Sequence, residues 1–171
     1  MFSVTSERKT AFAPVVDANT RILILGSLPG DASLRAQQYY GHPRNLFWRL
    51  IGGVMGRDLA ALPYPERLAA LKAAGVGLWD VIASAERPGS LDQAIRNAEA
   101  ADLRALIASL PALKGVAFNG KTAARLGRRL LAGVEGLTLI DLPSSSPAHA
   151  GMSFADKAAA WSVLRPLIDL D

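Results

Sequence analysis

The sequence predicts an α/β fold, a sandwich of helices around a mostly parallel four-stranded sheet. Three observations lead there. Short apolar runs of the kind that buried parallel strands show recur along the chain. Segments with helical apolar spacing lie between them. No linker, repeat or low-complexity stretch breaks the alternation, so the 171 residues suit one domain over 1–171, with 1–20 as a peripheral N-terminal segment.

Arg21–Gly26 (RILILG) is the first strand and runs into the turn chemistry of Ser27–Ser33 (SLPGDAS). Leu46–Met55 reads as a helix with its apolar stripe at Phe47, Leu50, Ile51 and Val54. Pro65–Ala74 is a second helix, with Leu68 and Leu71 inward and Gly75 as its stop. Val76–Ala83 (VGLWDVIA) gives a second strand, and Ala101–Leu110 a helix ended by Pro111. Gly115–Asn119 (GVAFN) is a strand followed by a tight turn at Gly120, and Lys121–Ala132 a basic amphipathic helix. Leu137–Leu142 (LTLIDL) is the fourth strand. After the loop Pro143–Gly151, Ser153 caps a last helix with Asp156 three residues on, its inward stripe being Phe154, Ala158, Trp161, Leu164 and Ile168.

Composition narrows the chemistry. Half of the residues are apolar and a fifth charged, which excludes a disordered or fibrous chain. With no cysteine there is no disulfide framework, thiolate zinc site or Cys nucleophile, and a reducing cytoplasm is the expected compartment. The two histidines, His42 and His149, lie too far apart in sequence for a local metal motif, so no metal is expected. No apolar run is long enough to span a bilayer, and the N-terminus lacks a signal-peptide core. The net charge of +4 is modest, but Lys114, Lys121, Arg125, Arg128 and Arg129 cluster without an intervening acid.

In open parallel sheets ligands collect beyond the carboxyl ends of the strands. Three loops converge there: Ser27–Asn45, Asn119–Thr122 and Pro143–Ala150. Gly115–Thr122 fits the phosphate-loop pattern G-x-x-x-x-G-K-[ST], and Asp141 stands where a Mg²⁺-binding acid would, so an NTPase using Gly120, Lys121 and Thr122 is an alternative reading. That motif needs a strand before its first glycine, whereas here Val116–Phe118 are themselves the strand. In the first loop, Tyr39 and Tyr40 follow neither a helical nor a strand period, which suits a stacking platform. Asn45 is either a helix cap or a site residue. Asn119, at a strand end, offers one donor group and one acceptor, the pairing a nucleobase edge requires. The segment PSSSPAHA reads as a rigid loop that exposes its backbone to a sugar-phosphate chain.

Taken in order, G26-S27-L28-P29-G30, H42-P43-R44-N45-L46-F47-W48, A117-F118-N119-G120 and L142-P143-S144-S145-S146-P147 resemble the motifs of the uracil-DNA glycosylase superfamily. The likeness covers most of the chain from Arg21 to about Ser153. It implies a three-layer α/β/α sandwich and hydrolysis of the N-glycosidic bond of a base flipped out of DNA. Leu28 stands where mismatch-specific members carry a water-positioning Asn or Asp, and Leu142 where a His or Asn opens the second motif. Those departures resemble the hypoxanthine-DNA glycosylase branch, which works through two other asparagines at positions matching Asn45 and Asn119.

The resemblance implies that Asn45 activates water and Asn119 holds the base, roles the sequence leaves exchangeable. Gly26, Ser27, Leu28 and Pro29 would meet the base edge or the water, and Tyr40 would stack on the flipped purine. Ser144, Ser145, Ser146 and Pro147 would pinch phosphates, with Arg44, Lys121, Arg125 and His149 supplying positive charge. The expected partner is DNA carrying a deaminated base, bound by a monomer without cofactor. A catalytically inactive DNA-binding relative would share both lost polar residues; Asn45 and Asn119 beside Tyr40 speak against it.

Overall fold

A computed structural model describes residues 8–147 and 151–168. In chain order the elements are β1 (Arg8–Thr10), β2 (Ile22–Gly26), α1 (Asp31–Ala36), α2 (Phe47–Met55), α3 (Tyr64–Ala73), β3 (Val76–Asp80), β4 (Ile82–Glu86), β5 (Arg96–Ala100), α4 (Leu103–Ala108), β6 (Gly115–Asn119), α5 (Lys121–Leu130), β7 (Thr138–Leu142) and α6 (Phe154–Trp161). A 3-10 segment, Ser162–Leu167, continues from α6.

The central sheet has the order β3-β2-β6-β7, and every pairing in it is parallel. Side chains of β2 alternate between its faces. Ile22 and Ile24 enter a core with Phe47, Leu50, Ile51, Leu71, Leu78, Trp161 and Leu164; Leu23 and Leu25 enter another with Val81, Val116, Phe118, Ala123 and Leu131. All five residues of β2 are buried, as its unbroken apolar run requires. Each fully buried aliphatic or aromatic side chain contributes roughly 1.5–3 kcal/mol relative to exposure, so the two cores anchor the strand ends on which the loops sit.

Four expectations change. The segment Val76–Ala83 is not one strand: β3 ends at Asp80, and Val81 turns the chain across the end of β2, donating to Gly26 O at 2.8 Å. Ile82 then opens β4, which pairs antiparallel with β1 and β5 in a second, three-stranded sheet. The apolar run hides the bend because Val81 and Ile82 are buried on both sides of it. β5 was not foreseen because its five residues are all exposed and carry no apolar period.

The turn read at Ser27–Ser33 contains the start of α1, a helix of six residues held by tertiary contacts: Asp31 pairs with Lys9 at 2.5 Å, and its N–H donates to Ser90 Oγ at 3.0 Å. Ser153 caps α6 as expected, accepting from Asp156 N at 3.1 Å, but Phe154 points outward beneath the Arg49 guanidinium.

Candidate active site

The carboxyl ends of the parallel strands meet at one cavity of about 350 Å³. β2 is flanked by β3 on one side and β6 on the other, so the loops after these strands diverge from it and leave a crevice. Gly26 ends β2 beside Asp80, its register partner on β3. Asn119 ends β6, and the chain turns through Gly120, whose φ of +100° favours glycine, into α5.

Asn45 and Asn119 both line this cavity, together with Gly26, Ser27, Leu28 and Pro29, Tyr40, and Ser144–Pro147. The carboxamide of Asn119 is held at both ends by one residue: its Nδ2 donates to Ser145 Oγ and its Oδ1 accepts from Ser145 N, each at 2.9 Å. That leaves a second N–H and a second lone pair for a ligand. Asn45 uses Oδ1 to accept from Phe47 N at 2.9 Å, which caps α2, and its amide N–H groups remain available to the cavity. The two asparagine loops are tied together where Leu46 N donates to Ser145 O at 3.0 Å.

Tyr40 stacks on Phe47 with ring centroids 3.9 Å apart, so one of its faces is taken. Its φ of 54° sets it in the left-handed region, which a tyrosine occupies only when surroundings force it. Its hydroxyl is buried beside the Asn119 carboxamide, and burial, reinforced by Asp80 and opposed by Asn119, raises its pKa above the ordinary value. Tyr39 corrects the reading of a two-tyrosine platform: its side chain is buried and its hydroxyl donates to Ala13 O at 2.9 Å, so it is core.

The loop Ser27–Gly30 is braced by the connection between β4 and β5. The Arg87 guanidinium, buried, donates to the carbonyls of Leu28 and Pro29 and pairs with Asp92 at 3.5 Å, while Ser27 Oγ donates to Asp92 at 2.6 Å. This fixes the backbone of Gly26-Ser27-Leu28-Pro29 before any ligand arrives. Sequence reasoning missed Asp80, Arg87, Ser90 and Asp92, since Asp80 sits inside an apolar run and the others in a stretch with no periodicity. His42 also lines the cavity and was not assigned a role; its Nδ1 accepts from Arg44 N at 3.0 Å, which leaves Nε2 as the protonated nitrogen of the neutral ring.

Arg44, Lys121 and Arg125 are exposed and stand outside the cavity, the latter two on neighbouring turns of α5. Arg128 is engaged with Asp141 at 2.9 Å. His149 lies outside the described residues. The phosphate-loop reading does not survive: Gly115–Asn119 is hydrogen-bonded along its length between β2 and β7, so no loop is available to curl around a phosphate. No helix among the described residues is long and apolar enough to cross a membrane.

Comparison with known proteins agrees with this geometry. The family model of the uracil DNA glycosylase superfamily matches residues 13–165. A hypoxanthine DNA glycosylase of Methanosarcina barkeri is 52% identical over 114 residues, covering 67% of this chain and 72% of the relative. One of Methanosarcina acetivorans is 42% identical over 156 residues, 91% of this chain and 97% of the relative. A solution NMR structure from Methanosarcina acetivorans, provisionally described as a uracil DNA glycosylase, superposes with a TM-score of 0.84 at 42% identity, covering 94% of this chain and 99% of that one. The chain belongs to the uracil DNA glycosylase superfamily.

Proposed function

We propose that the protein is a monofunctional DNA glycosylase that removes hypoxanthine, deaminated adenine, from DNA by hydrolysing its N-glycosidic bond. The observation that carries this is the meeting of Asn45 and Asn119, from separate loops, in one cavity with Tyr40. The two Methanosarcina relatives named as hypoxanthine DNA glycosylases support it.

Breaking the C1′–N9 bond builds positive charge on the sugar and negative charge on the departing base. Strong base catalysis is not needed when the base leaves early; a held water and donors facing the base suffice. Asn45 positions that water beneath C1′, and Asn119 meets the base with its remaining N–H and lone pair. The free face of Tyr40 stacks on the flipped purine. The braced main chain of Ser27–Pro29, with Gly26 and Leu28, forms the wall against the base. Water adds to C1′ as the new hydroxyl, keeping one of its protons, and the other proton ends on the released base as the C1′–N9 bond breaks.

Around the cavity mouth, Ser144, Ser146 and Pro147 form a rigid edge that presses on the DNA backbone, whereas Ser145, expected to join them, is buried and bonded to Asn119 and holds that edge in place. Arg44, Lys121 and Arg125 bind phosphates. The absence of cysteine suits a protein that works in the cytoplasm, and the cavity is lined by residues of a single chain, which suits a protein that acts as a monomer.

The test is a strand-scission assay with duplexes containing hypoxanthine, uracil or xanthine, in the presence of EDTA. Alkali-labile abasic sites form fastest in the hypoxanthine-containing strand, and Asn45→Ala or Asn119→Ala lowers the single-turnover rate at least ~100-fold. Wild-type rates in both variants would remove the site assignment.

A further inference from the structure

Two acidic side chains that no motif accounted for line the cavity, Asp80 and Asp92, and of the two Asp80 is the buried one. It is 96% buried by its 4% exposure, it lines the cavity, and its Oδ2 has no hydrogen-bond partner among the described residues. Gly26 opens the way to it. A Cβ on Gly26 would stand 2.7 Å from Asp80 Oδ1 and 3.1 Å from the Tyr40 hydroxyl, so the missing side chain leaves both polar groups facing the space a ligand would fill. The nearest cation does not neutralise Asp80: the bonds of Arg87 go to Asp92 and to the carbonyls of Leu28 and Pro29.

A buried carboxyl without an ion pair is most stable as the neutral acid. In that form it has one O–H donor and one carbonyl acceptor side by side. This is the complement of a lactam edge, a ring N–H next to a C=O, which hypoxanthine presents at N1 and C6. An ionised carboxylate accepts from the ring N–H but repels the carbonyl oxygen.

We propose that Asp80, as a carboxylic acid, is a base-recognition residue of this pocket, pairing its O–H with the carbonyl oxygen and its C=O with the adjacent ring N–H of the flipped base. The inference rests on the glycosylase reading above and adds to it a pH limit set by one side chain. Burial, opposed by Arg87 and reinforced by Asp92, pushes the Asp80 carboxyl up to about 7. The titratable and charged groups facing it are Arg87 and Asp92 from the connection between β4 and β5, and Tyr39, Tyr40 and His42 from the loop before α2. His42 is the histidine lining the same cavity, so the test must separate it from Asp80.

Two measurements do so. The first is calorimetric binding of free hypoxanthine to the folded protein between pH 6 and 8; the second is single-turnover hydrolysis of a hypoxanthine-containing duplex over the same range. For the wild type both fall about tenfold from pH 6 to 8, the loss expected when a carboxyl titrating near 7 must be protonated. Asp80→Asn, which keeps a donor and an acceptor at every pH, abolishes that slope whatever its absolute rate, and it binds the base at least ~10-fold tighter than Asp80→Ala. A slope that persists in Asp80→Asn, which would then belong to another group of the cavity, overturns the proposal. So does 1-methylhypoxanthine binding as well as hypoxanthine, since its ring N–H is gone. Hydrolysis with no pH slope overturns the role of Asp80 and leaves the glycosylase reading standing. Pronounced, Asp80-dependent binding of the free base without hydrolysis does the reverse.

Discussion

Asn119 and Ser145 hold each other in a closed ring of two hydrogen bonds, each 2.9 Å long, that joins the end of β6 to the loop after β7. The ring decides which way the carboxamide faces, because exchanging its oxygen and nitrogen would set donor against donor at Ser145 N. Ser145→Ala removes only the hydroxyl acceptor and keeps the main-chain donor. The expected result is a stability loss of about 1 kcal/mol and a hydrolysis rate between those of the wild type and Asn119→Ala. A rate for Ser145→Ala as low as that for Asn119→Ala would mean that Asn119 acts by bracing the loop rather than by meeting the base.

Asn45 does two jobs, and substitution separates them. Its Oδ1 caps α2 through Phe47 N. Asn45→Asp keeps that acceptor and adds a negative charge near the helix N-terminus, so thermal stability stays within about 0.5 kcal/mol of the wild type or rises. Hydrolysis still falls at least ~100-fold, because the amide N–H groups are lost. Asn45→Ala loses both, at a cost of about 1 kcal/mol in stability. Thermal melts read alongside single-turnover rates check the split.

Arg87 braces the first-motif loop from behind. Arg87→Met leaves the carbonyls of Leu28 and Pro29 without their donor and removes the partner of Asp92, and the expected loss is roughly 1–3 kcal/mol, the cost of leaving buried hydrogen-bonding groups unpaired. Asp92→Asn is milder, since Asp92 is half-exposed and the Ser27 hydroxyl can still donate to its carbonyl. Denaturant melts of the two variants give that order.

Asp80 also leaves a mark on stability. Its carboxyl titrates near 7 in the folded protein against 3.8 as its ordinary value, so the folded state holds the proton more tightly than the unfolded one. That contribution is fully present below about pH 3.8 and is lost as pH rises to about 7. The melting temperature of Asp80→Asn therefore gains on the wild type as pH climbs from 4 to 7.5 and then runs parallel to it. A constant difference across that range would show an unshifted carboxyl.

Lys121 and Arg125 are assigned to phosphates rather than bases. Replacing either by Ala weakens binding about equally for hypoxanthine-containing and undamaged duplexes and lowers the slope of log K against log salt by about 1. A loss confined to the damaged duplex would place the residue in base recognition.

The sequence by itself determined the parallel sheet and the three loops at its carboxyl edge, and it marked Asn45 and Asn119 as candidates on two of them, their pairing being what the resemblance to the superfamily's motifs implies. These are local or periodic features: unbroken apolar strands, a helical stripe from Phe47 to Val54, and turn residues at fixed points. Tertiary structure alone decided that the run from Val76 bends at Val81 into a second sheet, because burial on both sides of a bend looks the same as burial along a straight strand. It also decided that Tyr39 is core while Tyr40 faces the cavity, since adjacent aromatics carry no sign of which neighbour will cover them. Asp80 belongs to the same class. Its chemistry comes from the missing side chain of Gly26 on the next strand and from Arg87 bonding elsewhere, and distances between strands are not written along the chain.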